Sequence, residues 1–327
     1  ILSCGNFKLF FQMLNRRHIR LKTMQYLYAA EISDFEDTKQ HYKNLSNSIH
    51  SIHDLYLLYI SLLIEIFKKA VNKYKISNES ISGNISDIYS NEKFSKNQFL
   101  KQIFSNSKIL ELISSKDFIN WDIDYKFVNL IYDKIIHSDI YSTYLGCEKK
   151  SFKIDLKFVQ DIFKEIIVAD EKFQSFVEEK NIYWMDDYPL VNTLLLKLFK
   201  SSTANSLEKL FYFKLFSNIS DKKYFDELAN LSLKNFESNN QLINKYITNW
   251  DLDRLAKIDL VIINLAITEL VNFKEIPIKV SLNEYIEISK DYSTEKSSLF
   301  INGILDKIVK DLVKNNSLIK EGRGLRE

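Results

Sequence analysis

The chain has 327 residues, 46% hydrophobic and 27% charged, a globular balance that excludes a disordered or fibrous class. Its formal net charge of +2 identifies no polyanionic partner by itself, so charge has to be read locally. Only 6 glycines and 2 prolines predict an almost wholly helical fold, and two cysteines, Cys4 and Cys147, are too few for a disulfide framework and fit a reducing, cytoplasmic setting.

Taken in chain order, residues 1–12 read as an upstream extension and Met13 as the natural start. Leu2-Ser3-Cys4 lacks the basic and apolar leader of a lipoprotein signal. The stretch NRRHIRLKTMQYLYAAE from Asn15 follows. Ile19, Tyr26, Leu27 and Ala30 fall at i, i+7, i+8 and i+11, which predicts an amphipathic first helix over 13–32. Its first turns carry Arg16, Arg17, His18, Arg20 and Lys22. Cations at a helix start oppose the macrodipole, so helix stability does not explain them. Arginine forks match phosphate oxygens in pairs, and Tyr26 or Tyr28 is placed to stack on an unpaired base. The plainer alternative is a solvated helix end.

Residues 33–215 read as a helical middle region, with helices around 36–75, 94–115, 122–137, 155–179 and 190–215. Breaks are expected over 76–93, near 138–154 and near 180–189, where YWMDDYP ends in Pro189. The most apolar run, Leu55 to Phe67, is too short to span a bilayer and contains Glu65, so no membrane role is expected. His50 and His53 have the spacing of a metal pair on one helix face, but no further ligands accompany them. Asp186-Asp187 reads as a solvated acidic loop. Glycine-rich nucleotide loops, nucleophile elbows and Cys-x-x-Cys pairs are missing from the sequence. Neither catalysis nor a cofactor is expected.

The last third is better punctuated. One helix is expected over 222–245. The next places Leu255, Ile258, Ile262, Leu265 and Leu270 on one face, with Val261, Ile263 and Ala266 making it apolar nearly all round, so it should be central and buried. Pro277 closes the following loop. Ser281-Leu282-Asn283-Glu284 has the pattern of a capping box for a helix ending near Tyr292. A final helix is expected from Ser297, where Ser297 and Ser298 either cap or leave amides free for an anion beside Lys296. Phe300 is either core or a base-stacking platform. Inside this helix stands Asn302-Gly303, a turn dipeptide that costs about 1 kcal/mol in a helix interior relative to alanine. The expectation is a packing glycine that lets a neighbouring helix approach closely.

Two blocks carry a family resemblance: RRHIRLKTMQYLYA at 16–29, and the run from RLAKIDLVIINLAITEL at 254–270 through IPIKVSLNEYIEISKDYS at 276–293 to SSLFINGILDKI at 297–308. The chain resembles the bacterial antitermination factor family NusB, in a long form. The resemblance implies an all-α protein of two small helical bundles, interrupted after the Arg-rich first helix (13–32) by a helical insertion at 33–215. A C-terminal bundle at 216–312 and a flexible tail at 313–327 would follow. It implies binding to boxA-like single-stranded RNA together with NusE, within the RNA polymerase antitermination complex. By position, Arg16, Arg17, His18, Arg20, Tyr28, Lys296, Ser297 and Phe300 would form the RNA surface, and Asp259 would contact the partner protein. Asn264 stands where familiar members have an arginine, and Lys296 where some have an acid. The rival readings are a helical accessory domain of an rRNA methyltransferase-type protein, and a purely structural helical scaffold. An rRNA methyltransferase would need an α/β cofactor domain, of which the middle region has neither glycine-rich turns nor alternating strands.

Overall fold

The structure, a computed structural model, describes residues 11–79, 92–204, 213–216, 218–247 and 255–325. It comprises two compact units: one of residues 50–215 with the stretch up to Met13, the other of Leu14–Ile49 with the chain from Phe216 onward.

In chain order, β1 (Phe11–Leu14) is followed by α1 (Arg16–Ile32) and α2 (Thr38–Glu79). There follow α3 (Gln98–Phe104), α4 (Ser107–Ser114), α5 (Trp121–Ile136), α6 (Asp139–Gly146), α7 (Phe152–Ile162), α8 (Glu171–Lys180) and α9 (Trp184–Ser201). The chain then passes through β2 (Phe213–Phe216), which pairs with β1, into α10 (Ile219–Lys234), α11 (Phe236–Asn244), α12 (Lys257–Asn272), α13 (Ile278–Tyr292) and α14 (Glu295–Lys314). The all-α class read from the scarcity of glycine and proline is therefore the class observed.

The unit of residues 50–215 is organised around α2. By length and composition this helix is long and apolar enough to cross a membrane, yet 78% of its most apolar window is buried in the fold, as in a core helix. Phe163, Phe173 and Tyr188 surround Tyr59 at ring-centroid distances of 5.3, 5.9 and 6.0 Å. Two indoles fix neighbouring helices to it: Trp121 Nε1 donates to Ser61 Oγ at 2.9 Å and Trp184 Nε1 to the Ser51 carbonyl at 2.8 Å. The expected break over 180–189 is confined to Asn181–Tyr183, because Pro189 sits inside α9. Its missing N–H removes a single helix bond near the start, where the loss is smallest. Asp187 is buried within α9 rather than in a solvated loop. The expected break near Gly146 likewise contains a helix, α6.

The other unit is built on α12, whose residues from Asp259 to Leu270 are all buried. Helices α1, α10, α11, α13 and α14 pack around it. Helix α1 ends in a Schellman turn: Phe35 N donates to Ala30 O at 2.7 Å and Asp34 N to Glu31 O at 3.2 Å, with Asp34 at φ 50°. Phe35 then meets Phe236 at 4.8 Å between ring centroids.

Several sequence expectations are corrected in this unit. The single helix expected over 222–245 is two, separated at Asn235. Helix α13 begins at Ile278, directly after Pro277, so Ser281 is no cap; it lies buried, with its hydroxyl turned into the core. Helix α14 begins at Glu295, and Thr294 rather than Ser297 caps it, accepting from the Ser297 amide at 3.1 Å. Gly303 is not a packing glycine: a Cβ built there meets nothing within 4 Å. The described residues after α14, up to 325, are docked rather than free. A second Schellman turn ends α14, with Asn316 at φ 53°, and Lys320 Nζ then donates to the Leu270 and Phe273 carbonyls at 2.8 and 3.0 Å.

Candidate nucleic-acid interface

Asn15 opens α1 by accepting from the His18 amide at 3.0 Å, which projects the basic first turns from a capped helix start. The cations then separate by depth. Arg16 and Arg17 keep 32% and 38% of their side chains exposed, whereas Arg20 keeps 3%. Lys22 is also buried.

Arg20 belongs to the core. Its Nε and Nη2 donate to the two oxygens of Glu269 at 2.8 and 2.9 Å. Glu269 is fully buried and also accepts from Tyr224, from Ser281 Oγ at 2.7 Å and from Tyr285 OH at 3.1 Å. Burial alone pushes the Glu269 carboxyl up, but the Arg20 charge together with the hydrogen bonds from Arg20, Tyr224 and Ser281 brings it below the usual range. The same burial opposes the charge on Arg20, and Glu269 more than offsets it, so the guanidinium stays charged. The assignment of Arg20 to an RNA surface is thereby corrected: its Nε–Nη2 edge is taken by buried Glu269, and its Nη1 faces Glu284 at 3.4 Å.

Arg16 and Arg17 are differently held. Arg16 reaches Asp221 at 3.3 Å and Glu275 at 3.8 Å, with its guanidinium 4.9 Å over the Tyr224 ring. Arg17 reaches Asp291 at 2.9 Å and Glu284 at 3.8 Å. Such partly exposed pairs contribute about 0–1 kcal/mol each, so an incoming phosphate can displace them. His18 adds no charge. Burial, reinforced by Arg17 and Lys22, lowers its pKa to about 4, and its Nδ1 is buried without a hydrogen-bond partner among the described residues.

Arg17 reaches Asp291 near the end of α13, five residues before Lys296 in the first turn of α14. Lys296 is exposed, Ser297 and Phe300 are half-buried, and Tyr28 is 37% exposed. Leu299 beside Phe300 is 74% exposed, an apolar surface that the sequence reading passed over. Asp259 is not offered to solvent. It is 4% exposed and its Oδ1 accepts from Ser293 Oγ at 2.6 Å. Its expected place on a partner-contacting surface is corrected accordingly; from the first turn of α12 it ties down the α13–α14 turn, where a carboxylate also complements the helix dipole. Lys257, two residues before it, turns to the Glu31 carbonyl at 3.2 Å. The residue in place of the usual arginine, Asn264, is also buried and donates to Asn240 Oδ1 at 2.7 Å.

The model of the NusB family matches residues 191–310. The matched stretch begins within α9 and ends within α14, and the Arg-rich α1 lies outside it. Among curated relatives, the transcription antitermination protein NusB of Salinibacter ruber is 42% identical over 32% of this chain and 66% of its own length. That of Natranaerobius thermophilus is 40% identical over 30% of this chain and 70% of its own length. That of Chloroherpeton thalassium is 40% identical over 33% of this chain and 52% of its own. The chain thus spans about half to seven-tenths of the curated relatives it matches. No solved structure matches it. With seven-tenths of one relative covered at 40% identity, the chain belongs to the NusB family.

Proposed function

We propose that this protein is an RNA-binding transcription antitermination factor. It recognises boxA-like single-stranded RNA together with NusE and supports transcription of rRNA by the cytoplasmic polymerase complex. The role is recognition without catalysis. The observation that carries the reading is the sorting of the α1 arginines by depth. Arg20 is consumed by the core, while Arg16 and Arg17 sit at the surface in weak pairs that a phosphate can replace. Tyr28 and Phe300 supply ring faces on which unpaired bases stack. Lys296 adds an exposed cation in the first turn of α14. Residues 33–215 are proposed as a helical insertion after the Arg-rich first helix.

The test is a binding comparison using the full chain, with labelled single-stranded boxA-like RNA, its scrambled counterpart and an RNA duplex, each with and without purified NusE. The expected order is boxA-like first, scrambled weaker and duplex weakest, with NusE tightening the first. Equal affinity for all three RNAs, with no effect of NusE, would overturn the reading.

A further inference from the structure

A cavity of about 750 Å³ opens beside the start of α1, a size that suits a nucleotide-scale ligand. Its charge is unbalanced. Four cations line it, Arg16, Arg20, Lys279 and Arg323, against the acids Asp221 and Glu275. Arg20 is neutralised by Glu269, and Arg16 by the two lining acids. Lys279 and Arg323 make no ion pair among the described residues, and both are exposed. Pro277 and Val280 provide an apolar wall on the same cavity, with Val280 43% exposed.

Arg323 is brought there by the segment after α14, and the sequence GRG is what allows it. Gly322 takes φ +55°, a backbone that disfavours a side chain. Gly324 passes so close to the chain that a Cβ would lie 2.0 Å from the Lys274 carbonyl oxygen. Glu321 N donates to that same oxygen at 3.0 Å. Lys320 spans to the two carbonyls at the end of α12. Three hydrogen bonds from Lys320 and Glu321, with the close approach at Gly324, hold the arginine at the cavity instead of leaving it on a free tail.

We propose that the docked segment completes the RNA site, with Arg323 and Lys279 each gripping a backbone phosphate at the cavity next to Arg16. This rests on the RNA reading above and adds to it a segment and two residues. The step is binding alone: two charge-assisted contacts form, and the apolar wall of Pro277 and Val280 takes the adjoining sugar or base.

The experiment is fluorescence anisotropy with labelled single-stranded boxA-like RNA across a salt series. It uses the full chain, K279A/R323A, R323K, G324A, G324A/R323A and R16A/R17A. Each phosphate contact contributes about 0.7 to the slope of log affinity against log salt for single strands. K279A/R323A is therefore expected to bind about tenfold more weakly, with a slope shallower by about 1.4. R323K should keep the slope. G324A, which retains every cation but cannot seat the segment, should lose the slope contribution of Arg323, and adding R323A to it should change nothing further. Circular dichroism checks the fold of G324A, and the surface variants K279A and R323A carry the test independently of it. If K279A/R323A keeps wild-type affinity and slope while R16A/R17A loses both, the segment has no part in binding and the proposal falls, with the RNA reading standing. If the unaltered chain binds no RNA at low salt, both fall together.

Discussion

Arg20→Ala separates a structural arginine from its two neighbours on the same helix. The substitution would leave the Glu269 carboxylate, fully buried, without the guanidinium that meets both of its oxygens at 2.8 and 2.9 Å. Removing one partner of a buried ion pair typically costs about 3–5 kcal/mol, because the remaining charge is left in a medium that solvates it poorly. Tyr224, Ser281 and Tyr285 still donate to Glu269, which places the expected loss at the lower end, about 3 kcal/mol. For a unit of this size that corresponds to a fall in Tm of about 6–12 °C. Thermal unfolding followed by circular dichroism reads it directly. Arg20→Met with Glu269→Gln removes both charges at once while leaving an acceptor for the tyrosines, and should recover about half of the loss. A Tm within 2 °C of wild type for Arg20→Ala, a change of at most about 1 kcal/mol, would refute the assignment of Arg20 to the core.

The same site makes acid stability predictable. Since the Glu269 carboxyl is held below its ordinary value of 4.5, its contribution is present above that pH and lost as pH falls through the lower folded value. Urea unfolding from pH 6 down to pH 3 should show that loss, and Glu269→Gln should flatten it while lowering stability at pH 6. Gly303→Ala should raise stability by about 1 kcal/mol, since the glycine lies inside a helix with open space around it; a lower Tm would restore the packing role expected from sequence. Trp184→Phe removes the 2.8 Å indole bond to the Ser51 carbonyl and should cost about 0.5–1.5 kcal/mol in chemical denaturation, whereas an unchanged midpoint would mean that the indole bond contributes nothing.

The sequence made the helical class legible because so little in it breaks helices, and it located α12 because an unbroken apolar run has no solvent face to present. It also located α1 and its cations. What it could not assign was depth along α1: Arg16, Arg17 and Arg20 are alike as letters, and only the approach of Glu269 makes Arg20 internal. A signal was available, since a glutamate within the most apolar helix of the chain has to find a buried countercharge. The misplacement of Ser281 has the same origin. Its spacing to Glu284 fits a capping box, but Pro277 already starts the helix, and the hydroxyl is drawn to Glu269 instead. Gly303 was misread because a helical glycine suggests close packing, whereas the neighbouring face of α14 is open. The docking of residues 317–325 depends on carbonyls of a distant helix end and leaves no local pattern beyond the two glycines.

The most direct test of the central claim is the salt dependence of single-stranded boxA-like RNA binding, measured for the full chain and for Arg16→Ala/Arg17→Ala. Both arginines are surface groups in weak pairs, so the double variant should keep its Tm within about 2 °C, as expected for changes near 0.5 kcal/mol. Its affinity should fall at least tenfold, and its log–log salt slope should be shallower by about 1.4, the share of two phosphate contacts on a single strand. An unchanged affinity and slope in the double variant, with the fold intact, would contradict the claim that the start of α1 grips RNA.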